Sequence, residues 1–171
     1  MTKTSGVSFR SKFFWVYDVV GGVFLWHLVS AAKDHMNDKP ILWLDKCIEQ
    51  WQLAAAITEL AFFADDEWTE KQVDQIIALS RQAVSAIRAH GDFTDDEVKS
   101  LELGTDLEIF PRGMKIIPSE PIARFGEAFI SLLLDELQAP PEWSVWFYGV
   151  ENEPQIWESA SNYAAVWGKK L

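Results

Sequence analysis

The sequence predicts an all-α single domain, or nearly so: five to seven helices around a central buried helix, with one small β-hairpin. Three observations predict it. Residues 40–64, PILWLDKCIEQWQLAAAITELAFFA, are apolar around most of a helical circumference. Thr69 with Gln72 and Thr94 with Glu97 have capping-box spacing, which opens two further helices. Helix-stopping residues follow at suitable distances, at Gly91, Gly104 and Pro140-Pro141.

The 40–64 stretch is the expected hub. Asp38 can cap it, and Pro40 sits near its first turn, where a missing N–H costs little. At 100° per residue Asp45, Glu49, Gln52 and Glu59 fall on one narrow line. Leu44, Ile48, Trp51, Ala55 and Phe62 lie to one side of it, and Leu53, Ile57 and Leu60 to the other. A helix with so thin a polar strip is expected to be surrounded by the rest of the chain.

Taken in order, residues 1–12 are polar and basic and are expected to be flexible. Residues 13–32, FFWVYDVVGGVFLWHLVSAA, have the outline of a membrane span. Asp18, His27 and the Gly21-Gly22 pair oppose that, because a charge inside a span costs a few kcal/mol. The stretch predicts a core helix instead, kinked at the two glycines. Within it Asp18 lies among Val16, Val19 and Val20, so it needs a partner: a backbone N–H, Tyr17 or an arginine elsewhere.

Beyond Thr69, an apolar stripe of Val73, Ile76, Ile77, Ser80, Val84 and Ile87 predicts a helix ending at Gly91, and Thr94 opens a shorter one. Residues 107–117 read as a hairpin with Arg112 at its tip and Gly113 in the left-handed region. Ser119 caps a helix over 120–138 that faces inwards through Ile122, Phe125, Phe129, Leu132 and Leu133. Residues 142–150, EWSVWFYGV, fit a strand or a helical turn equally. Asn152 and Pro154 open a last helix to about Trp167, with Trp157, Ala160, Ala164 and Trp167 inward.

At 171 residues the whole chain, 1–171, suits one domain, and folding can bury roughly 70% of the unfolded surface. Nine tryptophans and eleven phenylalanines make the core bulky. Cys47 is the only cysteine, so no intrachain disulfide forms, and a cytoplasmic location is expected. The net charge is −11, and residues 65–108 carry most of it, with twelve acids against four bases. Such a domain repels nucleic acid and anionic lipid.

The chain lacks a Gly-x-Gly-x-x-Gly, a P-loop, a Gly-x-Ser-x-Gly and a His-Glu-x-x-His. His27 and His35 share a helical side and could meet Asp45 or Glu49 at a metal, but surface histidines explain them more cheaply. No catalytic residue, metal or cofactor is therefore expected. The leading functional expectation is a non-catalytic, protein-binding inhibitor, most like an acidic bacterial immunity protein that docks on a cognate toxin. Its partner would present a basic surface or cationic cleft. The expected contact residues are Asp65, Asp66, Glu67, Trp68, Asp92, Asp95, Asp96, Glu97, Trp143 and Trp146. The alternative is a small helical enzyme or ligand-binding domain with an internal pocket near Asp18, His27, Glu49 and Glu59.

Overall fold

A computed structural model describes residues 4–37, 39–56, 64–104 and 106–158. It corrects the all-α expectation: the fold is mixed α/β, with five helices, a four-stranded sheet and a two-stranded one.

Residues 4–17 form a hairpin, and residues 1–3 lie outside the described residues. β1 (Thr4–Phe9) pairs antiparallel with β2 (Lys12–Tyr17), with Phe9 opposite Lys12. The two-residue loop places Arg10 at φ 54, in keeping with the primed turns that match strand twist. The run 12–17 is rich in aromatic and β-branched residues, which suit a pleated surface. The expected helix therefore starts later than residue 13. It is α1 (Asp18–Met36), and it runs unbroken through Gly21 and Gly22.

α1 is the hub of the fold, in place of the 40–64 stretch. Its first twelve positions are buried except Trp26 and include Val19, Val20, Phe24, Leu25 and Leu28, and α1 packs against every other long helix and both hairpin strands. The 40–64 stretch supplies α2 (Leu42–Ala56), which packs chiefly on α1. α2 buries Leu44, Ile48, Trp51 and Ala55 but leaves Leu42 75% exposed. It is an ordinary one-sided helix, and residues 57–63, with Glu59, lie outside the described residues. Gly22 is needed where the two helices cross. A Cβ there would meet the Ala55 carbonyl oxygen at 2.8 Å and Ile109 at 3.2 Å. Gly22→Val is expected to cost about 2–3 kcal/mol through overpacking. Thermal unfolding checks this, with a fall of about 2–4 °C per kcal/mol at this size; an unchanged midpoint would contradict the crossing.

α3 (Glu70–His90) carries the expected stripe, with Val73, Ile76, Ile77, Ser80, Val84 and Ile87 all buried, and its Thr69–Gln72 capping box is fully formed. After Gly91 come β3 (Phe93–Thr94) and α4 (Asp95–Lys99), opened by the Thr94–Glu97 box. The expected hairpin at 107–117 does not form. A turn at residues 111–114 is present, closed by the Met114 N–H donating to the Pro111 carbonyl with Gly113 at φ 80. Its two arms do not pair with each other, however. β4 (Ile116–Ile117) pairs instead with β3.

α5 (Ser119–Leu133) packs against α3 and α1 through Ile122, Phe125, Phe129 and Leu132. It ends five residues before the predicted Gln138, at a turn with Asp135 at φ 61. β5 (Ser144–Tyr148) resolves the ambiguous 142–150 stretch and pairs parallel with β2, Val16 opposite Tyr148. The last expected helix is replaced, over its described part, by β6 (Gln155–Glu158), antiparallel to β5; residues 159–171 lie outside the described residues. The sheet order is β1-β2-β5-β6. One face of it, with Phe14, Val16 and Tyr148, meets the helices. The other carries aromatics, among them Phe13 against Trp15 and Phe147 stacked on Trp157. Among the described residues no helix is long and apolar enough to cross a membrane.

Candidate functional site

The acidic turns divide into two groups at opposite ends of α3, separated by its 21 residues, roughly 30 Å at 1.5 Å per residue. Each group has local work. At the N-terminal end the Asp65 carboxylate accepts from the Glu67 N–H at 2.8 Å, and Asp66 accepts from the Arg10 N–H, which ties the β1–β2 turn to α3. Arg10 also reaches Glu70 at 2.7 Å. Trp68 is buried between Phe9 and Trp51, so its ring belongs to the core and has little face left for a partner.

At the other end Asp92 accepts from the Ser119 N–H at 2.9 Å and so caps α5, although Pro118 is the residue at the helix boundary. Asp95 lies 3.1 Å from Lys115, whose hydrogen bond holds its carboxyl below the usual range, and 3.5 Å from Lys99. Glu97 closes its capping box on Thr94 and is likewise held low, chiefly by the Thr94 N–H. Asp96 is 3.9 Å from Lys99.

Of the polar residues of the alternative reading, Asp18, His27 and Glu49 are not brought together, and Glu59 lies outside the described residues. Asp18 opens α1 and is nearly closed off from solvent. Its Oδ1 accepts from the Val19 N–H at 2.8 Å, and its Oδ2 takes Arg112 Nε at 2.8 Å and Nη2 at 2.5 Å. This satisfies the sequence requirement for a backbone N–H or a distant arginine. His27 lies nine residues along the same helix, about 13 Å away, among Trp26, Phe93 and His90. Burial, with His90 nearby, pushes its imidazole down to about 4. Glu49 is exposed on α2. His35 meets Gln75 at 2.7 Å. Among the described residues no group of three or more His, Cys, Asp or Glu side chains is placed to hold a metal ion. Burial pushes the Cys47 thiol up to about 11, which makes it a poor nucleophile at neutral pH.

One expected contact residue, Trp146, does lie in a concave site. A cleft of about 420 Å³ opens between the second half of α5 and β5. Trp146 and Tyr148 sit two apart on β5, so they project to the same side. Both are only partly buried. Tyr148 leans on Phe14 and Phe125, and burial raises its phenol to about 12, so it stays protonated. The Trp146 indole N–H donates to the Gln138 carbonyl at 2.9 Å, which fixes the ring.

The far wall is the turn that ends α5. Its shape is set by the Glu136 and Leu137 N–H groups, both donating to the Ser131 carbonyl, at 2.8 and 3.0 Å. Lys12 locks it from β2, 2.7 Å from the Asp135 carboxylate and donating to the Asp135 carbonyl at 2.7 Å. Glu127, Glu136, Glu153 and Arg124 complete the rim. Two further clefts, of about 430 and 360 Å³, lie along residues 99–108 and between Lys33 and Asp45; neither has an aromatic side chain in its lining.

Trp143 immediately precedes β5 and is not in the cleft's lining; it is 44% exposed with φ 64, an uncommon backbone state for a bulky residue. Sequence reasoning singled out Trp146 but missed Tyr148, Glu136 and Glu153. The i, i+2 spacing of Trp146 and Tyr148 was the available signal, and it speaks only once 144–148 is known to be a strand. No family model matches the chain, and no curated protein or solved structure matches it either.

Proposed function

We propose that the protein works by binding and not by catalysis, docking a protein partner that presents a basic surface or cationic cleft. In its concrete form this is a cytoplasmic immunity-type protein that covers a toxin. The observation that carries the reading is the α5–β5 cleft, where two aromatic rings lie inside a rim that is mostly carboxylate. The net charge of −11 would speed encounter with a basic surface, while partly buried aromatics would supply most of the affinity.

The structural duties of Asp65, Asp66, Asp92, Asp95 and Glu97 make them poor residues for a test, because removing them loosens turns and caps. Glu136 and Trp146 are better. Tagged protein from the native host is expected to retain a basic protein, and Trp146→Ala is expected to weaken that complex by about 2 kcal/mol, as loss of an interface tryptophan commonly does. Calorimetric titration of the recovered partner measures it. Recovery of no protein partner, or one bound equally by the Trp146→Ala variant, would count against this docking face.

A further inference from the structure

We infer that the α5–β5 cleft receives one arginine side chain of the partner, its guanidinium lying on the Trp146–Tyr148 floor with Glu136 as its carboxylate. The inference rests on the binding reading above and names what enters the site.

The charge balance of this face points to a guanidinium. Three carboxylates, from Glu127, Glu136 and Glu153, line the cleft, and a fourth, Glu120, stands near it on α5. Two arginines answer them. Arg88 bonds Glu120 at 2.9 Å and Glu127 at 2.7 Å. Arg124 lies 3.4 Å from Glu120 and 3.5 Å from Glu153. Three of the four acids are thereby matched inside the protein, while the exposed Glu136 carboxylate has no ion pair among the described residues. Lys12, which reaches the turn from β2, is committed to Asp135.

The floor adds the second requirement. A flat cation packs on an aromatic face, and the Trp146 ring is held in place by its N–H bond to Gln138. The Tyr148 hydroxyl keeps its proton and, among the described residues, has no hydrogen-bond partner, so it is placed to accept from a guanidinium N–H. A planar fork suits aromatic stacking and a carboxylate together; an ammonium, a compact and strongly hydrated point charge, uses the same floor less well. A volume of about 420 Å³ admits one long side chain with its flanking backbone.

The test is titration of the full chain with N-acetyl-arginine amide, followed by NMR. Expected are saturable shifts at the Trp146 indole N–H and at the amides of 136–138, with a millimolar dissociation constant. Glu136→Gln, an exposed change that leaves the fold intact, is expected to weaken binding about tenfold. Trp146→Leu should do at least as much, and Asp74→Asn, on the far part of α3, should do nothing. Non-saturating shifts, shifts centred on residues 92–97, or equal binding of the uncharged norvaline amide would overturn the inference. So would tighter binding of the lysine amide, or a concentration-dependent mass showing a second copy of the chain on this face. If a basic partner is captured but the Glu136→Gln and Trp146→Leu variants hold it unchanged, the arginine pocket fails and the binding reading survives. If the probe binds as described but no protein partner is retained, the pocket stands and the binding reading fails.

Discussion

Replacing Arg112 by methionine is expected to destabilise the fold by about 3–5 kcal/mol, towards the lower end of that range. Arg112 is the counter-charge of Asp18, whose side chain is only 3% exposed at the start of the hub helix. Without it a buried carboxylate keeps only the Val19 N–H and the favourable end of the helix dipole. Those partial compensations, and the 24% exposure of Arg112, set the lower end. Methionine keeps the length of the stem and bears the same penalty for a positive φ, here 56, so the difference reports the lost charge.

The reverse change, Asp18→Asn, leaves a guanidinium that can reach water and is expected to cost only about 1–2 kcal/mol. The double change Asp18→Asn with Arg112→Met should recover most of the loss, because removing both charges also removes the need to desolvate them. Urea unfolding of the four proteins measures the coupling. A strictly additive cycle would show that the pair is not the tie between the 106–115 loop and α1.

That pair also shows what the sequence could and could not reveal. Asp18 was recognisable as an acid among valines that required a partner, but nothing in the chain identifies Arg112, 94 residues away, as that partner. Signals contained within one turn survived the fold. The two capping boxes close as their spacing demands, and the stripes of α3 and α5 are buried as periodicity requires. The strands were hidden for a physical reason. Both faces of β2 carry apolar or aromatic side chains, from Phe13 and Trp15 on one to Phe14 and Val16 on the other, so no alternation marks it, and it merges with α1 into one apolar run. The same ambiguity moved the hub to α2. Circumferential hydrophobicity does not by itself mean central burial: Leu42 and Leu53 are exposed, while α1 is enclosed despite Asp18 and His27. Trp68 and Trp146 differ for a similar reason. Proximity to acids marked Trp68 as a contact residue, whereas the strand that puts Trp146 beside α5 exists only through pairing with β2.

Acid is expected to weaken this protein well above the range in which carboxylates protonate, and His27 is the reason. Its ring is buried on α1; among the described residues its Nε2 has no hydrogen-bond partner, and Trp26, Phe93 and His90 stand around it. His90 stacks on Phe93 at 4.1 Å and stands 4.0 Å from Glu97, and among the described residues burial and His90, with no carboxylate, act on His27. Its pKa falls from 6.5 in the unfolded chain to about 4 in the fold. Between those values the unfolded chain binds a proton that the folded one refuses, so stability drops as pH falls through 6.5 and the loss levels off below 4. From pH 7.5 to pH 5 the loss is about 2 kcal/mol, and it approaches about 3 kcal/mol near pH 4. The carboxyls held low at Asp95, Glu97, Glu120 and Asp135 act in a separate window, since their stabilisation fades only as pH falls below the ordinary carboxylate range. His27→Phe keeps an aromatic ring among Trp26 and Phe93 and removes the titration. Urea unfolding at the two higher pH values should then give nearly equal stabilities for the variant, while the parent loses its ~2 kcal/mol. Equal losses in both proteins would show that His27 is not the source of the acid sensitivity.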